Sequence, residues 1–169
     1  MEATSFRTPK TINWSTMIMF VLGFWLSGSL VLDCLIVPGM LTSGMMKEPG
    51  FASASYLIFG AFNHIELLCA AIVLAGCLVY RYGYHLTEQI KPKSVFIAIA
   101  LLAIALAYTY IFTPQMSSMG MSLDQFSTVT ETSNSMAMMH IAYWSLEVVK
   151  LAAATALLRT FFRSSCSIV

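Results

Sequence analysis

The sequence predicts an all-α integral membrane protein, a four-helix bundle forming a single transmembrane domain over residues 1–169. Three observations predict this fold. The chain is 58% hydrophobic and only 10% charged, against roughly 25% charged residues in an ordinary soluble domain. Its four apolar runs are each about twenty residues long, enough to cross a hydrocarbon core of roughly 30 Å. Its basic residues lie almost entirely on one side of these runs.

The apolar runs set the expected helices. They cover residues 14–37, 54–80, 94–112 and 136–158. The third run, "SVFIAIALLAIALAYTYIF", contains no charged residue, so we expect it to serve as scaffold that packs closely or faces lipid. Pro38 and Pro114 stand just beyond the ends of the first and third runs, where the missing N–H of proline costs least. We therefore expect these prolines to lie just beyond the helix ends.

The basic residues predict how the bundle is oriented. Seven precede the first run, separate the second from the third, or follow the fourth: Arg7, Lys10, Arg81, Lys91, Lys93, Arg159 and Arg163. The two opposite loops contain only Lys47. Because cytoplasmic loops carry an excess of Lys and Arg, both termini are expected in the cytoplasm (N-in/C-in). The long loop between the third and fourth helices is then expected on the outer side.

Composition and motifs also limit the function. A formal net charge of +1 provides no basic excess for nucleic acid, so no nucleic-acid partner is expected. The sequence contains no Gly-rich phosphate loop and no Ser, Cys or carboxylate arrangement typical of covalent or hydrolytic catalysis. We expect a protein that is not an enzyme. Its expected partners are the lipid bilayer and other membrane-protein subunits.

Ionisable residues inside the runs predict a buried polar core. Such groups are costly in a membrane, usually face the bundle interior and pair with one another. With a rise of ~1.5 Å per residue, Glu66 lies at nearly the same depth as Glu147 and Lys150. This depth predicts a Glu66–Lys150 ion pair, and the i, i+3 spacing also brings Glu147 within reach of Lys150. The predicted polar core comprises Asp33, Asn63, Glu66, Glu147 and Lys150.

Two histidines within the runs indicate a different interpretation, a cofactor site. A neutral imidazole of His64 or His140 can bind haem iron or the magnesium of chlorophyll. His140, Trp144 and Glu147 share one helical face, which predicts a pocket wall with an aromatic side chain. The two histidines differ in depth by ~9 Å, so they fit a single haem only if the helices are offset or tilted.

Methionines concentrate on the expected outer side, which holds nine of the twelve. Thioethers close to a histidine are soft ligands suited to Cu(I). Methionine also forms adaptable apolar surfaces for partner helices, so this pattern alone does not separate the two roles. The candidate copper ligands are Met116, Met119, Met121, Met136, Met139 and His140.

Three features together resemble a known family. They are "GFWLSGSLVLDCLIVPGML" in the first run, "LIFGAFNHIELLCAA" in the second, and a fourth run that opens with His140 and contains Ser145. In this order they resemble the four-helix membrane family of unknown function that includes transmembrane protein 205. The resemblance implies a similar size and topology and no established catalytic chemistry. This chain lacks the longer, charged third loop typical of the eukaryotic members.

The function we expect first is that of a non-catalytic accessory or assembly subunit of a larger membrane complex, photosynthetic or respiratory. One alternative is a tetrapyrrole- or copper-binding protein that uses His64, His140 and the outer methionines. Another is a small proton or ion transporter, and the polar core alone is equally compatible with fixing helix register. The absence of cysteines from the expected outer loops favours a bacterial inner or thylakoid membrane.

Overall fold

The computed structural model describes residues 14–44, 50–82, 92–118 and 134–166, which are almost entirely helical and contain no strand. Helix α1 combines Trp14–Val31, a π-helical turn at Leu32–Ile36, and Val37–Thr42. Helix α2 is Phe51–Tyr82; α3 combines Pro92–Ala107, a π-helical turn at Tyr108–Phe112 and a further turn to residue 118; α4 is Asn134–Cys166. All four are long and apolar enough to span a membrane, which confirms the expected all-helical membrane protein at this level.

The helices pack in a ring that follows chain order, with α1 on α2, α2 on α3, α3 on α4, and α4 back on α1. Buried residues recur at alternating intervals of three and four along each helix. On α1 these are Ser15, Ile18, Leu22, Trp25 and Ser29; on α4 they are Glu147, Lys150, Ala154, Leu157 and Phe161. This interval keeps one narrow stripe facing the neighbouring helices, as in left-handed bundles.

The bundle interior is divided into two halves of different chemistry. The apolar half lies towards the start of α1 and the end of α4, and its core includes Ile18, Val73, Leu101 and Leu157. The polar half lies towards the opposite end. It contains the buried side chains of Ser29, Asp33, Asn63, Glu66, Thr109, Thr113, Glu147 and Lys150. Charged and polar groups are therefore gathered at one level.

Both π-helical turns end two residues before a proline, contrary to the expectation that Pro38 and Pro114 lie beyond the helices. The Val37 N–H donates to the Leu32 carbonyl, and the Thr113 N–H donates to the Tyr108 carbonyl, each a bond to the fifth preceding residue. A proline ring clashes with the carbonyl four residues earlier. The turn before each proline therefore opens to π geometry, and the helix continues past the proline.

The helices extend further than the apolar runs indicate. Polar residues at the ends of each run are helical as well, so α2 begins at Phe51 and α4 continues to Cys166. Part of the expected loop after the third run, residues 113–118, belongs to α3. The remainder of that loop, residues 119–133, lies outside the described residues.

Helices α1 and α2 are in close contact at Gly76 in the apolar half. A Cβ atom built on Gly76 would lie 2.6 Å from Cγ1 and Cδ1 of Ile18, whose side chain is fully buried. A Cβ on Gly23 or Gly60 would meet no atom within 4 Å. The contact at Gly76 thus requires the absence of a side chain.

We predict that Gly76→Ala lowers the stability of the bundle by about 1–3 kcal/mol, because the added methyl forces the buried Ile18 side chain or the backbone to move. Gly60→Ala is the matched control, since it gains helix propensity in open space. Thermal unfolding in detergent, followed by circular dichroism, measures both. Equal midpoints for the two variants would contradict the proposed close packing.

Candidate functional site

The centre of the polar half is the ammonium group of Lys150 on α4. Its Nζ lies 2.5 Å from Glu66 Oε1 on α2 and 2.7 Å from Glu147 Oε1 one turn earlier on α4. Lys150 is 3% exposed, and both glutamates are 1% exposed. The predicted Glu66–Lys150 ion pair and the predicted Glu147–Lys150 contact are both confirmed.

Helix α1 contributes two hydrogen bonds to the same carboxylate oxygen of Glu66. The indole Nε1 of Trp25 donates to Glu66 Oε1 over 2.9 Å, and the Ser29 hydroxyl donates to it over 3.0 Å. With Lys150, this single oxygen therefore accepts from three donors on two other helices. These three bonds hold the Glu66 side chain in a fixed position between α1 and α4.

Asp33 completes the acidic side of the site. It is buried on the π-helical turn of α1, four residues after Ser29, and its carboxyl group lies within hydrogen-bonding range of the Glu147 carboxyl. Trp25, Ser29 and Asp33 thus follow one another at intervals of four on a single face of α1. Two carboxylates therefore contact the ammonium, and a third carboxyl group lies beside one of them.

Aromatic rings from α3 and α4 cover the remaining side of the site. The Tyr108 ring lies 5.1 Å from Lys150 Nζ and 4.8 Å from the Tyr143 ring, centroid to centroid. The Tyr108 hydroxyl donates to the backbone carbonyl of Tyr143 over 3.1 Å. Since a cation is attracted to the face of an aromatic ring, Tyr108 adds a favourable contact for Lys150 and also ties α3 to α4.

A second polar contact joins α2 to α3. The Asn63 side-chain amide donates to the Thr113 hydroxyl over 2.6 Å, and the Thr109 hydroxyl donates to the Ala105 carbonyl over 2.8 Å. All three side chains are buried. The predicted core residue Asn63 therefore lies in the polar half, where its described bond is to α3 rather than to the lysine.

Several of these residues were not among those predicted from the sequence, although the sequence contains signals for them. Trp25 and Ser29 precede Asp33 by eight and four residues, which places them on the same helical face. Tyr143 precedes Glu147 by four residues on the inward stripe of α4. Tyr108 was assigned to scaffold because its run lacks charge, and a buried aromatic ring beside a lysine leaves no such mark in composition.

The candidate cofactor residues do not converge. His64 is exposed, not directed into the bundle as expected, and its Nδ1 lies 2.6 Å from the Gly60 carbonyl of its own helix. Trp144 is 42% exposed, so it does not share the inward direction of Glu147, and Tyr143 faces the interior instead. His140 is half-buried. The physical reason is the narrow buried stripe of each helix, which leaves adjacent positions facing outward.

The candidate copper ligands are only partly described. Met116 on α3 and Met139 on α4 are half-buried. Met119 and Met121 lie outside the described residues, and Met136 lies in α4 with a side chain that is not described. Within the ranges that the structure covers, no group of three or more His, Cys, Asp or Glu residues could hold a metal ion.

No protein-family model, no curated protein and no solved structure matches this chain. The four apolar helices are compatible with a polytopic membrane protein in contact with a lipid bilayer. Two features of the molecule bear on a more specific role: the buried charges and the outward surface of the helices.

We predict that Lys150→Met destabilises the bundle by about 3–5 kcal/mol, since it leaves buried carboxyl groups without their cation. Glu66→Gln is expected to cost less, about 1.5–3 kcal/mol, because the amide oxygen still accepts from Trp25 and Ser29 and Lys150 keeps Glu147. Arg159→Met, which removes an exposed charge from the same helix, is the control. Denaturation in mixed micelles measures all three, and similar losses for Arg159→Met and Lys150→Met would contradict the proposed role of Lys150.

Proposed function

We propose that this chain is a non-catalytic polytopic membrane protein that serves as an accessory or assembly subunit of a larger photosynthetic or respiratory membrane complex. The observation that carries this proposal is an open groove of about 660 Å³ on the outward face of α4. It is lined by Leu151, Ala152, Thr155, Ala156, Arg159, Thr160 and Arg163.

The groove has the composition of a helix-docking surface. Ala152, Ala156 and Thr160 recur every four residues and are exposed, so they form a flat strip along the helix. In lipid, helix association depends on close van der Waals packing, and small residues at this spacing allow two backbones to approach. The Thr160 hydroxyl donates to the Ala156 carbonyl over 2.9 Å, which keeps it from projecting into the groove.

The occupant we propose is a transmembrane helix of a different subunit. Arg159 and Arg163 lie at one end of the groove and are exposed. Two copies related by a two-fold axis would present the same patch to each other, and this would bring the four guanidinium groups together. Like charges in contact oppose such a pairing, whereas a partner helix with acidic residues near its end would complement them.

The other functions expected from the sequence gain less support. Tetrapyrrole binding through His64 and His140 requires the two imidazoles to meet, and His64 faces away from the bundle. Cu(I) binding by the outer methionines rests on side chains that are mostly not described. The resemblance to the family that includes transmembrane protein 205 stays a proposal and adds no function.

We predict that Ala156→Phe reduces recovery of the tagged chain in a higher-mass complex by at least about tenfold, equivalent to about 1.4 kcal/mol of docking free energy. The phenyl ring would fill the strip that a partner helix needs to contact. Solubilisation of native membranes in mild detergent, followed by native gel electrophoresis, measures the recovery of the complex.

Ala103→Phe is the matched control, because Ala103 is also an exposed alanine in a transmembrane helix but lies on α3 outside the groove. It should leave the higher-mass complex intact. A wild-type chain that runs only as a monomer or as a homo-oligomer would contradict the proposed role, as would equal loss of the complex in the two phenylalanine variants.

A further inference from the structure

The polar half contains more acid than base. The ionisable groups that face one another there are Asp33 on α1, Glu66 on α2, Tyr108 on α3, and Tyr143, Glu147 and Lys150 on α4. If all three carboxyl groups were ionised, one ammonium would leave two negative charges without compensation. Uncompensated charge in a membrane interior is costly, so the cluster needs a further positive partner.

The ammonium of Lys150 is best assigned to Glu66. Glu66 Oε1 is its nearer carboxylate oxygen, and Trp25 and Ser29 donate two further hydrogen bonds to that same oxygen. With three donors on one oxygen, the Glu66–Lys150 ion pair is the contact with the most hydrogen bonds in the cluster, and it is neutral as a unit. A further positive partner would therefore lie between Asp33 and Glu147.

The two remaining carboxyl groups lie within hydrogen-bonding range of each other, yet neither brings a donor when ionised. Oδ2 of Asp33 and Oε2 of Glu147 are buried, and no hydrogen-bond partner for either is found in the described part of the chain. Two carboxylates in contact repel, whereas a carboxyl and a carboxylate share one hydrogen bond. The contact is therefore favourable only with a proton between them, and that proton lowers the excess negative charge of the cluster from two to one.

We propose that Asp33 and Glu147 form a binding site for an exchangeable proton. A hydronium ion from the aqueous phase gives up a proton, breaking one of its O–H bonds and leaving water. The proton forms an O–H bond with one carboxylate oxygen, and this hydroxyl donates to the neighbouring carboxylate. This site goes beyond the docking role proposed above and does not depend on it.

The geometry favours a proton over a metal cation. The Lys150 ammonium already lies 2.7 Å from Glu147 Oε1, so a metal ion at Glu147 would face a positive charge at close range. Across residues 14–44, 50–82, 92–118 and 134–166, no group of three or more His, Cys, Asp or Glu residues could hold a metal ion. A proton needs only the two oxygens that the site supplies.

The backbone at Asp33 differs from a regular helix in a way that suits such a site. Asp33 is the second residue of the π-helical turn Leu32–Ile36, whose hydrogen-bonding pattern is set by Pro38. Short π-helical turns within α-helices occur frequently at functional sites. Asp33 is also slightly more exposed than Glu147, 7% against 1%.

Infrared difference spectroscopy of the full chain in phosphatidylcholine vesicles tests the proposal. At neutral pH the wild type should show the carbonyl-stretch band of a protonated carboxyl group, and this band should shift in D₂O because the proton exchanges. The double variant Asp33→Asn/Glu147→Gln should lose the band. It retains the neutral Glu66–Lys150 pair and is therefore expected to fold.

Glu66→Gln is the control and should keep the band. A wild type without the band, a band that survives in the double variant, or a band lost in Glu66→Gln would each overturn the assignment. A band that changes when sodium replaces choline at constant pH would indicate a metal cation and overturn it as well. If the double variant fails to fold by circular dichroism, the comparison of wild type with Glu66→Gln decides.

Discussion

The structure depends on the placement of one positive charge in a low-dielectric interior. Lys150 can be buried only where its ammonium finds carboxylates, and Glu66 and Glu147 provide them from two helices. Trp25 and Ser29 then fix the accepting oxygen from a third helix, and the Tyr108 ring covers the ammonium from the fourth. Every helix is therefore held at one level by its contact with the same small cluster.

The two halves of the bundle stabilise the fold in different ways. Lipid tails are as apolar as leucine, so the hydrophobic effect does not drive helices together in a bilayer. In the apolar half, Gly76, Ala98 and Ala154 permit close approach and extensive van der Waals contact. In the polar half, charge pairing makes only one register acceptable. The apolar half supplies contact area, and the polar half selects the alignment.

The features that were predictable from the sequence are those that depend only on the regular geometry of a helix. Apolar length predicted four spans, and the rise per residue placed Glu66 level with Lys150 because both measures depend only on helix geometry. The helix faces were harder to predict. A residue one position from the buried stripe turns by about 100° and faces lipid, which is why Trp144 and His64 point outward while Tyr143 and Asn63 point inward. The expectation that Pro38 and Pro114 lie beyond the helix ends was wrong, because a π-helical turn can accommodate a proline without ending the helix.

The π-helical turns have a consequence for how this chain can vary in length. A bond to the fifth preceding residue, in place of the fourth, accommodates one additional amino acid within the same helix. Deleting a single residue within 32–36 or 108–112, together with replacing Pro38 or Pro114, is therefore compatible with a regular α-helix on both sides, whereas a deletion elsewhere in α1 or α3 rotates all that follows. In related chains that differ by one residue at these positions, the helices would still superimpose. The one-residue gap in the sequence alignment would then mark the place where the side chain at Asp33 or Tyr108 points in a different direction.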